Sequence, residues 1–457
     1  MSGLKRQSSA SQKKQCDDVE GGISVHDVVQ GIVADVHLSA EEDKRLLRKI
    51  DKWLLPAMAV TYLFQFLDKS VLGFTAIMGL REDLSKAGTD FSWASGIYYF
   101  GYLVSSYPAG VFMVNAVWGV ALILTAVCFN TSGLLANRFF LGVAEAAVAP
   151  GLSIIISMWY KRSEQPLRHG VWFLGNTVTG IFGGLFAYGI GHIQSIPAWK
   201  GIILLKLLPD VPSKSWFMTQ EERLKAICRE ALLDIKLWLL VLIQLAYNLA
   251  NGVVQSFGSM IINGMGFSVL NTLLVQMIAY SFQGVFVVLA TTLTTYIPNI
   301  RTYVTAFSML IAIAGAAMIR QIDSQNSWAR FMGYCLCMAY TINFPMVLAM
   351  SSANFGGFTK KTTASSMLFI AYCTSNIIGP QLFFAREAPT YQPGFFFLMV
   401  CFAIATVACL ALLFYLIFEN RRRDQAGFDD STLPSDALDI KMMDKIDKEI
   451  KKFRYVY

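Results

Sequence analysis

Charge is the scarcest thing in this sequence. Of 457 residues only 15% are Asp, Glu, Lys or Arg, where a soluble domain carries about 25%. With 55% hydrophobic residues, a soluble fold would be left with more apolar surface than it could cover, because burial saturates with size. That excludes a cytosolic enzyme, a nucleic-acid-binding module and a disordered scaffold. Histidine is scarce too: the 4 present are His26, His37, His169 and His192, and none has helical metal-ligand spacing. Cysteine gives no disulfide framework. Cys128, Cys335, Cys337, Cys373, Cys401 and Cys409 lie in apolar stretches, where a free thiol packs as a small hydrophobe. Cys335-Leu-Cys337 has no His or carboxylate nearby in sequence and reads as packing rather than a metal site. GGFTKKTT (356–363) lacks the Gly-Lys-Ser/Thr ending of a phosphate loop. Residues 1–52 lack the apolar core of a cleavable signal. The expectation is a chain with no cofactor, no metal and no enzymatic constellation.

What is present is a series of long apolar runs, with a mean hydropathy of +0.48. A spanning helix needs about 20 residues, and runs of that kind begin at Trp53 and recur at 91–113, 114–130, 134–159, 170–193, 237–262, 272–296, 302–319, 331–354, 364–384 and 394–418. The fold class is therefore an all-α polytopic membrane protein with about 11 convincing spans, the lipid bilayer being its first partner. Ahead of the first span, Ser39 and Glu42 have capping-box spacing, and Leu46, Leu47, Ile50 and Trp53 share a helix face opposite Lys44, Arg45, Arg48, Lys49 and Lys52. This predicts a juxtamembrane helix on the cytoplasmic surface. The net charge of +7 belongs to loops, not to a nucleic-acid footprint. Lys161, Arg162, Arg168, Arg301, Lys360, Lys361 and Arg421 to Arg423 all fall cytoplasmic in a twelve-span scheme with both termini inside, and the sequon Asn130-Thr131-Ser132 falls outside. Two places break the pattern. Residues 91–129 carry no charge, so two spans follow with almost no loop; and Gly201–Leu208 stands where a sixth span belongs, too short to cross.

Particular stretches carry a family likeness: FLDKSVLGFTAIMGL from Phe66, NRFFLGVAEAAVAPGLSIIISMWYKRSEQPLR from Asn137, LPDVPSKSWFMTQEER from Leu208, NGVVQSFGSMIINGMGFS from Asn251 and SSANFGGFTKKTTASSMLFIAYCTSNIIGPQLFFAREAPTYQPGF from Ser351. Over about 42–424 the sequence resembles the fungal allantoate permease branch of the anion:cation symporters, within the major facilitator superfamily. The resemblance implies two pseudo-symmetric six-helix bundles, 53–205 and 236–418, joined by a charged cytoplasmic loop at 206–235 and flanked by tails at 1–52 and 419–457. Family members carry a basic, Gly-containing loop between spans 2 and 3. Here Met113 runs straight into Val114-Asn115-Ala116, and most of span 6 is absent.

A charge at the centre of a span costs about 2.5–3.5 kcal/mol on insertion scales, so each needs a reason. Asp68 and Lys69 lie in span 1. Arg138 and Glu145 lie in the fourth, seven residues apart and so on one helix face. An organic anion needs a fixed cation in place of its water, which Arg138 and Lys69 offer. Coupling to protons needs a titrating group, which Glu145 offers first and Asp68 second. The resemblance implies the same two charged pairs. Amides form a second tier: Asn251 and Gln255 one turn apart, Asn376 beside Tyr372, and Asn176, Asn248 and Asn343. Such amides contact a substrate or glue helices together at about 0.6 kcal/mol each; the rival reading of the charges sets Asp68 and Lys69 at the wet end of span 1 and pairs Arg138 with Glu145 to hold helices together. The expected function is proton-coupled uptake of a small organic anion of the allantoate, ureidosuccinate or carboxylate-vitamin kind, by a monomer in the plasma membrane. The rival readings are a nutrient-sensing receptor with the same fold and a non-transporting, truncated product.

Overall fold

The computed structural model describes residues 40–80, 88–105, 130–146, 148–190, 234–323, 325–356, 358–383, 391–425 and 454–457. Every described element is helical: α1 (Ala40–Thr75, continued by a wide turn at Ala76–Leu80), α2 (Gly88–Ser105), α3 (Thr131–Glu145), α4 (Val148–Trp159), α5 (Gln165–Ile190), α6 (Ile235–Asn263), α7 (Val269–Tyr296), α8 (Arg301–Gln321), α9 (Ser327–Cys337), α10 (Asn343–Asn354), α11 (Phe358–Ile378) and α12 (Gln392–Gln425). The chain divides into two compact units, Met1–Leu54 and Leu55–Tyr457. In the first, the described residues are those from Ala40 to Leu54, all helical. The second unit holds everything that follows.

Polar side chains start the helices where the apolar runs begin. Asn130, Asp234, Ser268 and Asn326 each accept a hydrogen bond from a backbone N–H two or three residues on. Proline and glycine divide the runs. The run expected at 331–354 is realised as Ser327–Asn354, but a tight 3-10 turn at Met338–Ile342 separates α9 from α10. Pro345 explains it: its ring opposes the carbonyl of Thr341 and it offers no N–H. Likewise α11 tightens into a 3-10 turn at Gly379–Leu382, beginning at the residue before Pro380. Among the described residues, seven helical stretches are long and apolar enough to cross a membrane. Their outward faces carry bare apolar side chains such as Leu289, Phe307, Val407 and Phe414, as lipid contact requires.

Within the second unit α2 lies between α3 and α11, α5 packs on α7, α6 touches α11 and α12, and α8 packs on α9 and α12. The α2–α3 crossing is backbone on backbone. A Cβ on Gly101 would stand 2.0 Å from the Phe139 carbonyl oxygen, and one on Gly142 would stand 1.9 Å from that of Tyr98. Parity is also settled by contact. Arg301 at the start of α8 reaches the carbonyls of Arg162 and Ala349, and Lys236 at the start of α6 reaches that of Asn354. The starts of α5, α6 and α8 and the end of α10 thus share one end of the bundle, while α5 leads about 39 Å away from it. The alternation of a twelve-span scheme is therefore kept on both sides of 191–233. The Met113–Val114 junction and Gly201–Leu208 lie outside the described residues.

Candidate functional site

One face of α1 carries Tyr62, Gln65, Phe66 and Lys69, all buried at helical spacing. Lys69 lies one turn beyond Phe66 on that face. Its Nζ lies 5.6 Å from the centre of the Tyr98 ring, 5.5 Å from that of Tyr102 and 5.9 Å from that of Tyr372. A desolvated ammonium against an aromatic face gains about 2 kcal/mol, and three faces converge on this one. Asp68 lies on the same helix, and its side chain is outside the described residues.

Glu145 closes the other side of this cluster. It is the last residue of α3 and fully buried. The Tyr98 hydroxyl donates to its Oε2, and Gln65 Nε2 donates to its backbone carbonyl at 3.3 Å. Lys69 and Glu145 are near enough to interact electrostatically. Arg138 is buried on the same helix, in a stripe that runs Leu134, Arg138, Leu141 and Glu145, and its charge reaches Tyr99. The seven-residue spacing of Arg138 and Glu145 thus places both on the inward face of α3. The Gly101–Gly142 crossing brings α2 close enough for Tyr98 to touch Glu145.

The amides form a second cluster. Asn251 Nδ2 donates to Asn376 Oδ1 at 2.9 Å, and Gln255 Nε2 donates to Asn251 Oδ1 at 3.4 Å. Tyr340 approaches Asn251 Oδ1 at 3.5 Å, and Asn376 Nδ2 returns to the Tyr372 carbonyl at 2.7 Å. The chain extends to α2 through the Tyr99 hydroxyl, which donates to Gln255 Oε1 at 2.9 Å. Tyr99 also meets Tyr98 edge-on at 4.9 Å and Tyr372 at 5.8 Å. Tyr98, Tyr99, Tyr102 and Tyr372 therefore link a charged cluster to an amide cluster. A narrow cavity opens on the amide side, where Asn251 and Gln255 meet Asn176, Asn248, Tyr247 and Phe344. Tyr372 lines it, whereas Lys69, Arg138 and Glu145 do not.

Sequence reasoning finds the three charges and three amides that the structure groups, and it misses the α2 tyrosines that join them. Their signal is Tyr98 and Tyr102 at a spacing of four, with Tyr99 between, in a run that is otherwise read only as apolar. Of the other amides, Asn343 is taken up with Ser308 and the Tyr340 carbonyl and serves helix packing.

Comparison with known proteins follows the same lines. Residues 58–380 match the Major Facilitator Superfamily. The chain is 30% identical over 480 positions to the allantoate permease of Saccharomyces cerevisiae, covering 92% of this chain and 88% of that one. It is 32% identical over 444 positions to an uncharacterized transporter of Schizosaccharomyces pombe, covering 85% of each chain. The crystal structure of the transporter FucP in its outward conformation superposes with a TM-score of 0.56 at 14% identity, over 79% of this chain and 99% of that one; this likeness concerns the fold. The alignment with the permease, at 480 positions, is longer than the 457 residues of this chain, so the permease has residues in the matched region with no counterpart here.

Proposed function

The chain belongs to the Major Facilitator Superfamily, and from that premise we propose that it is a secondary transporter which moves a small organic anion together with a proton. A small-molecule cargo and residence in a membrane follow from the family itself. The observation that carries the finer reading is the buried contact of Glu145 with Tyr98 beside Lys69. While Glu145 is ionised, its charge offsets that of Lys69. Protonation removes that offset and leaves the ammonium to attract an arriving carboxylate, so that anion and proton favour each other's binding. Arg138 adds a second cation on the same helix face, with a fork suited to a carboxylate. The amides Asn251, Gln255 and Asn376 supply donors and acceptors for the uncharged part of the anion, and the likeness to an allantoate permease supports a ureido-bearing acid. The positive loops face the cytoplasm, both termini lie inside, and the protein works as a monomer in the plasma membrane.

Glu145→Gln, made in a chain lengthened at the 113–114 junction and within 201–208, tests the coupling. With its carboxyl fixed in a neutral form, net uphill uptake stops, while exchange of labelled for unlabelled anion continues because exchange needs no proton release. Surface expression is measured alongside. Normal accumulation with unchanged pH dependence in a well-expressed Glu145→Gln protein makes Glu145 structural and moves the coupling site to Asp68. A second reading, in which this chain keeps the fold without transporting, is favoured by the length of the permease alignment relative to this chain.

A further inference from the structure

Residues 454–457 are fastened to the end of the bundle where α6 and α8 begin and α10 and α12 finish. Asn420 of α12 takes the Tyr455 N–H on Oδ1 at 2.9 Å and returns Nδ2 to the Tyr455 carbonyl at 2.9 Å. Asn354, the last residue of α10, repeats the pairing on Val456, with bonds of 2.7 and 2.8 Å. Two amide side chains thus satisfy both backbone groups of two successive residues, which is how a neighbouring strand holds an extended peptide. The third residue is held as well. The Arg301 N–H, at the uncapped start of α8, donates to the Tyr457 carbonyl at 3.2 Å.

The site is also built for one side chain. Tyr455 is 3% exposed, and its ring lies 3.8 Å from Lys236 Nζ and 4.5 Å from the Arg423 guanidinium carbon. Its hydroxyl accepts from Arg423 Nη2 at 2.7 Å. Beneath it, Asp234 is shared by Lys236 at 3.5 Å and Lys360 at 3.0 Å, all buried. The negative face of the Tyr455 ring lies against this charged group and against Arg423. At the rim, Arg454 pairs with Asp424 at 2.8 Å.

Arg301 links this site to the rest of the bundle. Its backbone holds Tyr457, and its side chain donates to the Arg162 carbonyl at 2.6 Å, in the turn between α4 and α5, and to the Ala349 carbonyl of α10 at 3.3 Å. We propose that this end of the bundle carries a docking site for the chain's own 454–457 segment, and that docking locks the Arg301 bridge and holds this end closed. Naming that end the cytoplasmic gate rests on the transport reading above; the docking does not.

Hydrogen exchange on the purified full chain in lipid nanodiscs tests both halves of the proposal. The Tyr455 and Val456 amides are expected to exchange at least about tenfold more slowly in the unaltered chain than in the Asn354→Ala, Asn420→Ala variant. Tyr455→Ala releases the segment too and speeds exchange at 161–165, whereas Tyr455→Phe keeps the ring and the protection. A synthetic Arg-Tyr-Val-Tyr peptide, added in excess to the unaltered chain, displaces the chain's own segment while 161–165 stays protected; a scrambled peptide leaves the chain's own segment in place. Equal exchange at 455 and 456 in all proteins, with and without the peptide, overturns the docking site. Release of the segment by Tyr455→Ala with no change at 161–165 overturns the lock. Uptake is not read, so either failure leaves the transport reading where it stands.

Discussion

Lys69 and Glu145 answer a question that insertion energetics raises for any charge in a span. Each ion would cost several kcal/mol alone, and the two lie near enough for their attraction to offset part of that cost. A double-mutant cycle is the direct check on their coupling. Lys69→Ala is expected to lower thermal stability more than the Lys69→Ala, Glu145→Gln double variant, since the second change removes the negative charge whose attraction to Lys69 the first has taken away. Additive losses in detergent melting curves show that the two do not interact. Charges of this kind are legible in sequence because they are conspicuous in an apolar run. Tyr98 and Tyr102 are not, because a tyrosine in a span passes as one more apolar residue until its hydroxyl is seen on Glu145. Asn251 and Gln255 announce themselves by helical spacing. That Asn376 joins them, 125 residues further along, depends on how α11 packs against α6, which no local pattern encodes.

At the scale of elements, the crossing of α2 and α3 sets the distance between Tyr98 and Glu145. Gly142→Ala puts a methyl group where the Tyr98 carbonyl oxygen stands, so the helices must part, at a cost of about 1–3 kcal/mol for overpacking. Gly151→Ala makes the matched control. Nothing lies within 4 Å of its added carbon, and alanine gains about 1 kcal/mol over glycine within a helix. The expected outcome is a lower melting temperature and weaker anion binding for Gly142→Ala, with Gly151→Ala unchanged or slightly more stable. Equal behaviour of the two removes the crossing from the account. Span positions were readable from hydropathy because the bilayer demands one long apolar run per crossing. The division of 331–354 into α9 and α10 needed a further step, from Pro345 to the carbonyl it opposes, and glycine contacts became visible only once two helices were placed side by side.

For the whole molecule, the deciding fact is that helix ends alternate as twelve spans would have them, on both sides of 191–233, while the sequence supplies about 11 convincing apolar runs. A bilayer tolerates a short or interrupted span poorly, since unsatisfied backbone groups in hydrocarbon cost several kcal/mol each. Skipping a crossing would turn Arg301, Lys360, Lys361 and Arg421 to Arg423 outward against their own positive charge. The chain as written is therefore expected to transport weakly or not at all. Inserting the corresponding segments of the Saccharomyces cerevisiae allantoate permease at the 113–114 junction and within 201–208 is expected to restore uptake of labelled anion. The same proteins, with native cysteines replaced, report topology through a single cysteine at position 361. In the lengthened chain an impermeant thiol reagent applied to intact cells fails to label it. In the original chain, a mixed population labels in proportion to the fraction inserted with the second half inverted. Full uptake by the original chain, with position 361 shielded from the reagent, means that the short stretch at 201–208 suffices as part of a crossing, and the missing segments are then dispensable.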